Sequence, residues 1–417
     1  MSNVHPQDVL YWDERLSWVS AIFFIGSVGN ASLKSVLPIP DSLWGLVSVL
    51  VGAGILGSYF YYSKEMLRRS YHLFLSVVFL FALLYFLSAF LMISRGESLR
   101  SMLTGSALFT FAWWIPTGVY ACSVYNKQIL YDVWVKASYI MSAFSTIIFF
   151  FHIPDKQFDG VAEYNMAYGY FIILPLLIQI HEYQQKRYLW LLLLVLFEIF
   201  TIFVYANRGI ILSLVFFLVY KFAFESDSML RKVFSIMFLI LFGLLMLSNI
   251  QTIATVAVSV LDSFGLESRT LGMLAGGVID DMSGRDEIWS ICFKMIEKRP
   301  LIGWGLGGEY TYLTHAFTGS LEADALCSPH NGIVQNFVNF GIIGGLFSSI
   351  IVLIPLFFIN RIDDRNLKIL IVVFCASRVI PNLVSGDGFF TEPKVAMYLF
   401  LFYFGNRKIN NLQSLEA

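Results

Sequence analysis

The sequence predicts an all-α integral membrane protein: about twelve transmembrane helices, interrupted once by a large hydrophilic loop. Three observations predict it. Of 417 residues, 57 % are hydrophobic, 17 % aromatic and only 14 % charged, where a soluble domain carries about a quarter charged residues. Apolar runs near the ~20 residues needed to cross a bilayer recur along the chain. Lys and Arg are shared unevenly between alternate connections, the pattern that orients a multi-pass protein. Helices are expected because a lipid-exposed backbone must satisfy its own hydrogen bonds.

In chain order the runs are 16–34, 43–62, 71–93, 101–124, 134–153, 165–180, 188–206, 209–224, 233–250, 332–359, 367–384 and 395–405. The sixth, eighth and twelfth are the shortest. Residues 1 to 15 are polar, and no small-residue cleavage site follows the first run, so no cleavable signal peptide is expected. With the N-terminus in the cytoplasm, the inner connections hold Arg15, Lys64, Arg68, Arg69, Lys127, Lys136, Lys186, Arg187, Lys221, Arg231, Lys232, Arg361, Arg365, Lys368, Arg407 and Lys408. The short outer ones hold Lys34, Arg95, Arg100, Lys156, Arg208 and Lys394. Both termini are then cytoplasmic, and the loop of about 251–330 faces out. Residues 1–250 would form helices one to nine, 251–331 the outer loop, and 332–417 the last three helices and a cytoplasmic tail.

Inside the loop, "MSGRDEIWSICFKMIEKRP" reads as a short amphipathic helix. Ser283 and Asp286 make a capping-box pattern, Ile288, Trp289, Cys292, Met295 and Ile296 share a face, and Pro300 ends it. "GWGLGG" (303–308) lacks the Lys-Ser/Thr of a phosphate-binding loop and reads as a turn. A net charge of −1 gives no basic field for nucleic acid. Cys122 and Cys375 fall in apolar runs as core thiols, while Cys292 and Cys327 share the loop and could form a disulfide there if it is oxidised, a pairing the sequence leaves open. Asp280 and Asp281 read as solvated carboxylates, and His315 and His330 lack metal-ligand spacing. Glu198 and Arg378 are the clearest charges within spans; sequence alone does not pair them.

Three positions on the outer side stand out as candidates for chemistry. Arg208, in "YANRGIIL", occupies a connection so short that its flanking helices form a tight hairpin; an Arg there snorkels, pairs or meets an anion. Arg285 falls in the first turn of its helix, where the macrodipole disfavours a cation but exposed N–H groups favour a bound anion. His330 stands where the loop enters an apolar run, followed by Asn331, Gln335 and Asn339 at helical spacing. Amides buried in a membrane need partners or a wet cavity.

On these residues the chain resembles the O-antigen ligase and O-antigen polymerase superfamily of bacterial membrane glycosyltransferases, most closely over about 200–345. Arg208-Gly-Ile-Ile-Leu212 resembles its Arg-x-x-x-Leu element, "SGRDEIW…KRPLIGWGLGG" its large-loop pattern with Arg285 in the place of a functional arginine, and His330-Asn331 followed by Gly341-x-x-Gly344 its histidine motif. The first 200 residues match only in hydropathy. The resemblance implies a bundle similar to GT-C glycosyltransferases, of the metal-independent branch, in the bacterial plasma membrane; the first outer loop (35–42) holds only Asp41, in keeping with that branch. It implies a donor glycan on a polyprenyl diphosphate, no cofactor, and a glycan or lipid A core acceptor, with a chain-length regulator as a further partner. Such a transfer needs a base for the attacking hydroxyl, which an imidazole titrating near neutrality supplies. It also needs stabilisation of the departing diphosphate, which arginines supply. His330 is thus expected as base, Arg208 and Arg285 as diphosphate clamps, and Asn331, Gln335 and Asn339 as substrate-side groups. The loop pattern looks more like polymerases than ligases. A flippase for the same lipid-linked glycan is the rival class, though such folds commonly show paired repeats with broken helices at midplane.

Overall fold

The structure, a computed structural model, describes all residues except 1–5, 38–39, 97, 152–165, 206–207, 226–228, 231, 235–236, 238–240, 242–247, 264–268, 278–284, 319–327, 385–387 and 407–417. Regular structure among the described residues is helical throughout. In chain order the principal helices are α1 (Pro6–Val36), α2 (Asp41–Ile93), α3 (Ile115–Cys122), α4 (Lys127–Phe151), α5 (Met166–Lys186), α6 (Leu189–Tyr205) and α7 (Arg208–Val219). The loop carries α8 (Ile250–Ser263), α9 (Arg269–Ala275), α10 (Arg285–Lys298) and α11 (Gly308–Thr318). Then follow α12 (Gly332–Phe358), α13 (Arg365–Phe374) and α14 (Pro393–Phe404).

Among the described residues, four helical stretches are long and apolar enough to cross a membrane: Gln7–Val36, Leu43–Ile93, Lys127–Phe151 and Gly332–Arg361. The second and third expected spans are the two arms of α2, which kinks between them at Ser70 (φ −135°, ψ 29°). Further expected runs are divided by helix irregularities or fall partly outside the described residues. The run 101–124 is divided between π-helical turns at Leu103–Ala107 and Thr110–Trp114 and the short α3. α13 passes into another π turn, Cys375–Val379. Run 233–250 lies largely outside the described residues.

The chain divides into two compact units, Met1–Phe23 with Ile55–Val133 and Met282–Ala417, and Phe24–Gly54 with Trp134–Asp281. In the first, α3 packs on α14 so closely that a Cβ at Gly118 would stand 2.6 Å from the Phe400 ring. Trp114 Nε1 and Thr110 Oγ1 donate to the carbonyls of Phe389 and Phe390, both at 3.0 Å. Packing and interhelical hydrogen bonds of this kind, not water exclusion, hold helices together in lipid. At another place in this unit, fully buried Asp13 pairs with Arg69 and accepts from the backbone N–H groups of Tyr125 (3.2 Å) and Asn126 (2.8 Å), while Arg69 also binds Glu65. In-span Arg378 pairs with Glu392 at the start of α14. In the second unit Glu198 accepts from Ser142, whose hydroxyl also accepts from Gln179 Nε2 at 2.6 Å. Both in-span charges noted in the sequence are therefore hydrogen-bonded within their own unit.

Candidate active site

The amphipathic helix expected in the loop is α10. Ile288, Cys292 and Met295 are buried together with Trp304, Leu313 and Val338, and Trp289 and Ile296 pack against them, so the face read from the sequence is the one that packs. The expected cap Ser283 and the paired Asp280 and Asp281 lie outside the described residues. Cys292 is a free thiol, fully buried in this cluster. Its expected partner, Cys327, lies outside the described residues. Burial pushes the Cys292 thiol up to about 12.

Two tethers join α10 to the residues around His330. Trp289 Nε1 donates to the Pro329 carbonyl at 2.9 Å. Arg285 Nη1 donates to the Val384 carbonyl at 3.2 Å, and the next carbonyl back, Leu383, accepts from Asn331 Nδ2 at 2.7 Å. Arg285 and the His330-Asn331 pair therefore share one short backbone segment, although they are far apart in sequence. Asn331 is also the N-cap of α12, its Oδ1 accepting from Ile333 N (3.0 Å) and Val334 N (3.1 Å). This is the usual role of an Asn before a helix.

His330 occupies the left-handed region, with φ 50°. A histidine there is uncommon, and such backbone strain gathers at functional sites. The Ser328 hydroxyl lies 3.4 Å from both His330 Nδ1 and His330 N, and the side chain is half-buried. Arg208 opens α7 in the other unit, and its side chain lies outside the described residues. Of the three candidates for chemistry, the structure brings together two.

The amide stripe behind His330 leads inward. Gln335 Nε2 donates to Glu309 Oε1 at 2.5 Å. With its amide oriented to suit its neighbours, Asn339 donates to Glu309 Oε2 at 2.6 Å and to the Gly305 carbonyl at 3.2 Å. Glu309 is completely enclosed, and burial pushes its carboxyl up to about 7 against the opposing effect of these hydrogen bonds. Sequence reading missed Glu309. It stands in a glycine-rich stretch with no periodic signal, and only the fold brings it opposite Gln335.

"GWGLGG" is more than a turn. Trp304 N and Gly305 N donate to the carbonyls of Val338 and Asn339, both at 2.9 Å, and Ile342 N donates to Pro300 O at 2.6 Å. The loop is stitched into α12 where that helix breaks, at Gly341 (φ 70°, ψ −170°). Contact is so close that a Cβ at Gly303 would fall 2.5 Å from the Asn339 carbonyl oxygen and the Gly341 nitrogen. Trp304 is further held by Arg95, whose guanidinium lies 5.2 Å from its ring and donates to its carbonyl at 3.1 Å. Along the outer side of α10 runs a groove of about 510 Å³ lined by Asp286, Trp289, Ser290, Phe293, Lys294 and Glu297.

Residues 188–349 match the family described as O-antigen ligase. Over that segment the chain is similar to the O-antigen ligase and polymerase superfamily. The matched segment contains Arg208, Arg285, Glu309, His330 and all three amides, while Leu383 and Val384, which anchor Arg285 and Asn331, follow it in the chain. A membrane enzyme of ligase or polymerase kind is the coarse function the match supports, and it bears equally on both. No curated protein and no solved structure matches the chain.

Proposed function

We propose that the protein is a polymerase joining polyprenyl-diphosphate-linked oligosaccharide repeat units on the outer face of the bacterial plasma membrane. The observation that carries this reading is the anchorage of Arg285 and of Asn331, the neighbour of His330, on the adjacent carbonyls of Val384 and Leu383, with all three residues inside the segment similar to the O-antigen ligase family. The Arg285 guanidinium and the backbone just after the His330 imidazole are thus tied to one segment, and an imidazole and a guanidinium are the two groups the transfer needs. His330 takes the proton of the acceptor hydroxyl as that oxygen attacks the anomeric carbon. The bond to the diphosphate breaks, and the electron pair leaves on an oxygen that Arg285, joined by Arg208, stabilises through bidentate hydrogen bonds. Direct displacement inverts the anomeric centre. Asn331 orders the substrate side of His330 directly, and Gln335 and Asn339 do so from behind it.

This chemistry proceeds with arginines and without a divalent metal. Activity that vanished in EDTA and returned with Mg²⁺ or Mn²⁺ would count against that part of the reading. The reading also puts both termini in the cytoplasm and the loop outside. A cytoplasmic reporter active when fused near residue 310 would overturn it. The groove along α10 offers Trp289 and Phe293 as stacking surfaces and Asp286 and Glu297 as hydroxyl acceptors, a chemistry suited to the incoming sugar chain.

Purified protein given the lipid-linked donor alone should lengthen the glycan. Transfer only when lipid A core is added would support the ligase alternative, and no transfer with movement of donor across vesicles would support a transporter. A genomic neighbourhood holding a flippase and glycosyltransferases would favour the polymerase, and one holding lipid A core genes the ligase.

A further inference from the structure

The end of α12 nearest His330 is a separate rod. It begins at the Asn331 cap and ends at Gly341, where the backbone leaves helical geometry. Just before that break the carbonyls of Val338 and Asn339 accept from the N–H groups of Trp304 and Gly305. Nine residues, Gly332 to Phe340, are thus seated in the 300–309 loop as an inserted piece. Its inward face carries Gln335 and Asn339, four residues apart, and both end on the two oxygens of one carboxylate, Glu309. Exposure is 0 % at Glu309, 3 % at Gln335 and 5 % at Asn339. Backbone N–H groups of Gly307 and Glu309 serve the same carboxylate.

We propose that Glu309 is a positioning residue: by clamping both buried amides of this rod it fixes the place and angle of His330 at the rod's outer end. The proposal rests on the reading of His330 as the base. Glu309 does not touch substrate, since its carboxylate is sealed and already engaged. A carboxylate suits the task because it presents two acceptor oxygens and no donor, so that both amide nitrogens are served at once. Glutamine would turn its own NH₂ toward a donor and satisfy only one of them. Proper orientation of the base matters more to rate than to binding, and a displacement of about 1 Å at a reacting group lowers turnover about 10²-fold.

The test uses the full chain in nanodiscs with polyprenyl-diphosphate-linked oligosaccharide as substrate, and reads kcat and donor KM separately. Glu309→Gln should lower kcat about 10²-fold with donor KM little changed. The exchange Glu309→Gln with Gln335→Glu puts a carboxylate back opposite an amide and should restore most of kcat. Gln335→Met, which removes one clamp bond and leaves the carboxylate its other donors, should lower kcat by a smaller factor, and it gives the answer if Glu309→Gln does not fold. Unchanged kcat in Glu309→Gln or Gln335→Met overturns the proposal. So does an exchange variant that folds but stays as slow as Glu309→Gln. His330→Ala measured beside them separates the two readings. If it is inactive while Glu309→Gln turns over normally, only the clamp fails; if it is fully active, the assignment of the base fails whatever Glu309 does.

Discussion

Replacing Gly341 with alanine tests whether the His330 helix is a distinct rod stitched to the glycine-rich loop. The native backbone there (φ 70°, ψ −170°) lies in a region open essentially to glycine alone. Forcing another residue into it costs about 1–3 kcal/mol. An added Cβ would also meet the Pro300 carbonyl oxygen and Leu301 carbonyl carbon at 2.6 Å and the Leu301 carbonyl oxygen at 2.7 Å. All three are backbone atoms, which cannot swing aside, and overpacking of this kind adds about 1–3 kcal/mol. The sum, about 2–6 kcal/mol, is large against ordinary protein stability. Gly57→Ala in α2 is the control, because a Cβ there meets nothing within 4 Å. Thermal unfolding in detergent, followed by loss of monodispersity, should show Gly341→Ala several degrees less stable and Gly57→Ala unchanged or slightly more stable. Equal melting of Gly341→Ala and the unaltered protein would refute the break and the stitching built on it.

Glu309 gives a pH signature. Its folded carboxyl titrates near 7 against an ordinary 4.5, so between those values the folded protein holds the proton more tightly than the unfolded chain. Stability should fall as pH rises from 4.5 to 7, by about 3 kcal/mol in all, and Glu309→Gln should lose this dependence in melting curves across the range. Cys292, buried and with its thiol pushed up to about 12, should resist maleimide until the protein is denatured; labelling of the folded protein at this site would contradict its placement. Arg285→Lys should lose turnover and weaken donor binding, since a point charge does not reproduce a bidentate fork on diphosphate; titration with lipid-linked donor checks both.

Much of the arrangement was legible in the sequence, for physical reasons. Hydropathy marked the membrane class, and the α10 face was readable because Ile288, Cys292 and Met295 repeat at helical spacing. Asn331 was recognisable as polar at a helix start, where its cap now explains it. What escaped depended on contacts between distant segments or on helix irregularities. The π turns alter helix continuity without changing composition. "GWGLGG" looked like a turn because its purpose is set by Val338 and Asn339, more than thirty residues on. The amides Gln335 and Asn339 announced an unmet need for partners, but nothing local pointed to Glu309. Arg378 likewise found Glu392 only through the fold.

The role of His330 is the central claim, and one substitution tests it most directly. His330→Ala, expressed in a polymer-deficient strain with membrane levels checked by blotting, is read as a ladder of glycan lengths and, after purification, as turnover of lipid-linked donor. The account predicts normal expression, donor binding largely kept, and a rate reduced roughly 10²–10⁴-fold, so that the ladder collapses to its shortest rungs. Full-length polymer made at the normal rate by well-expressed His330→Ala would contradict it.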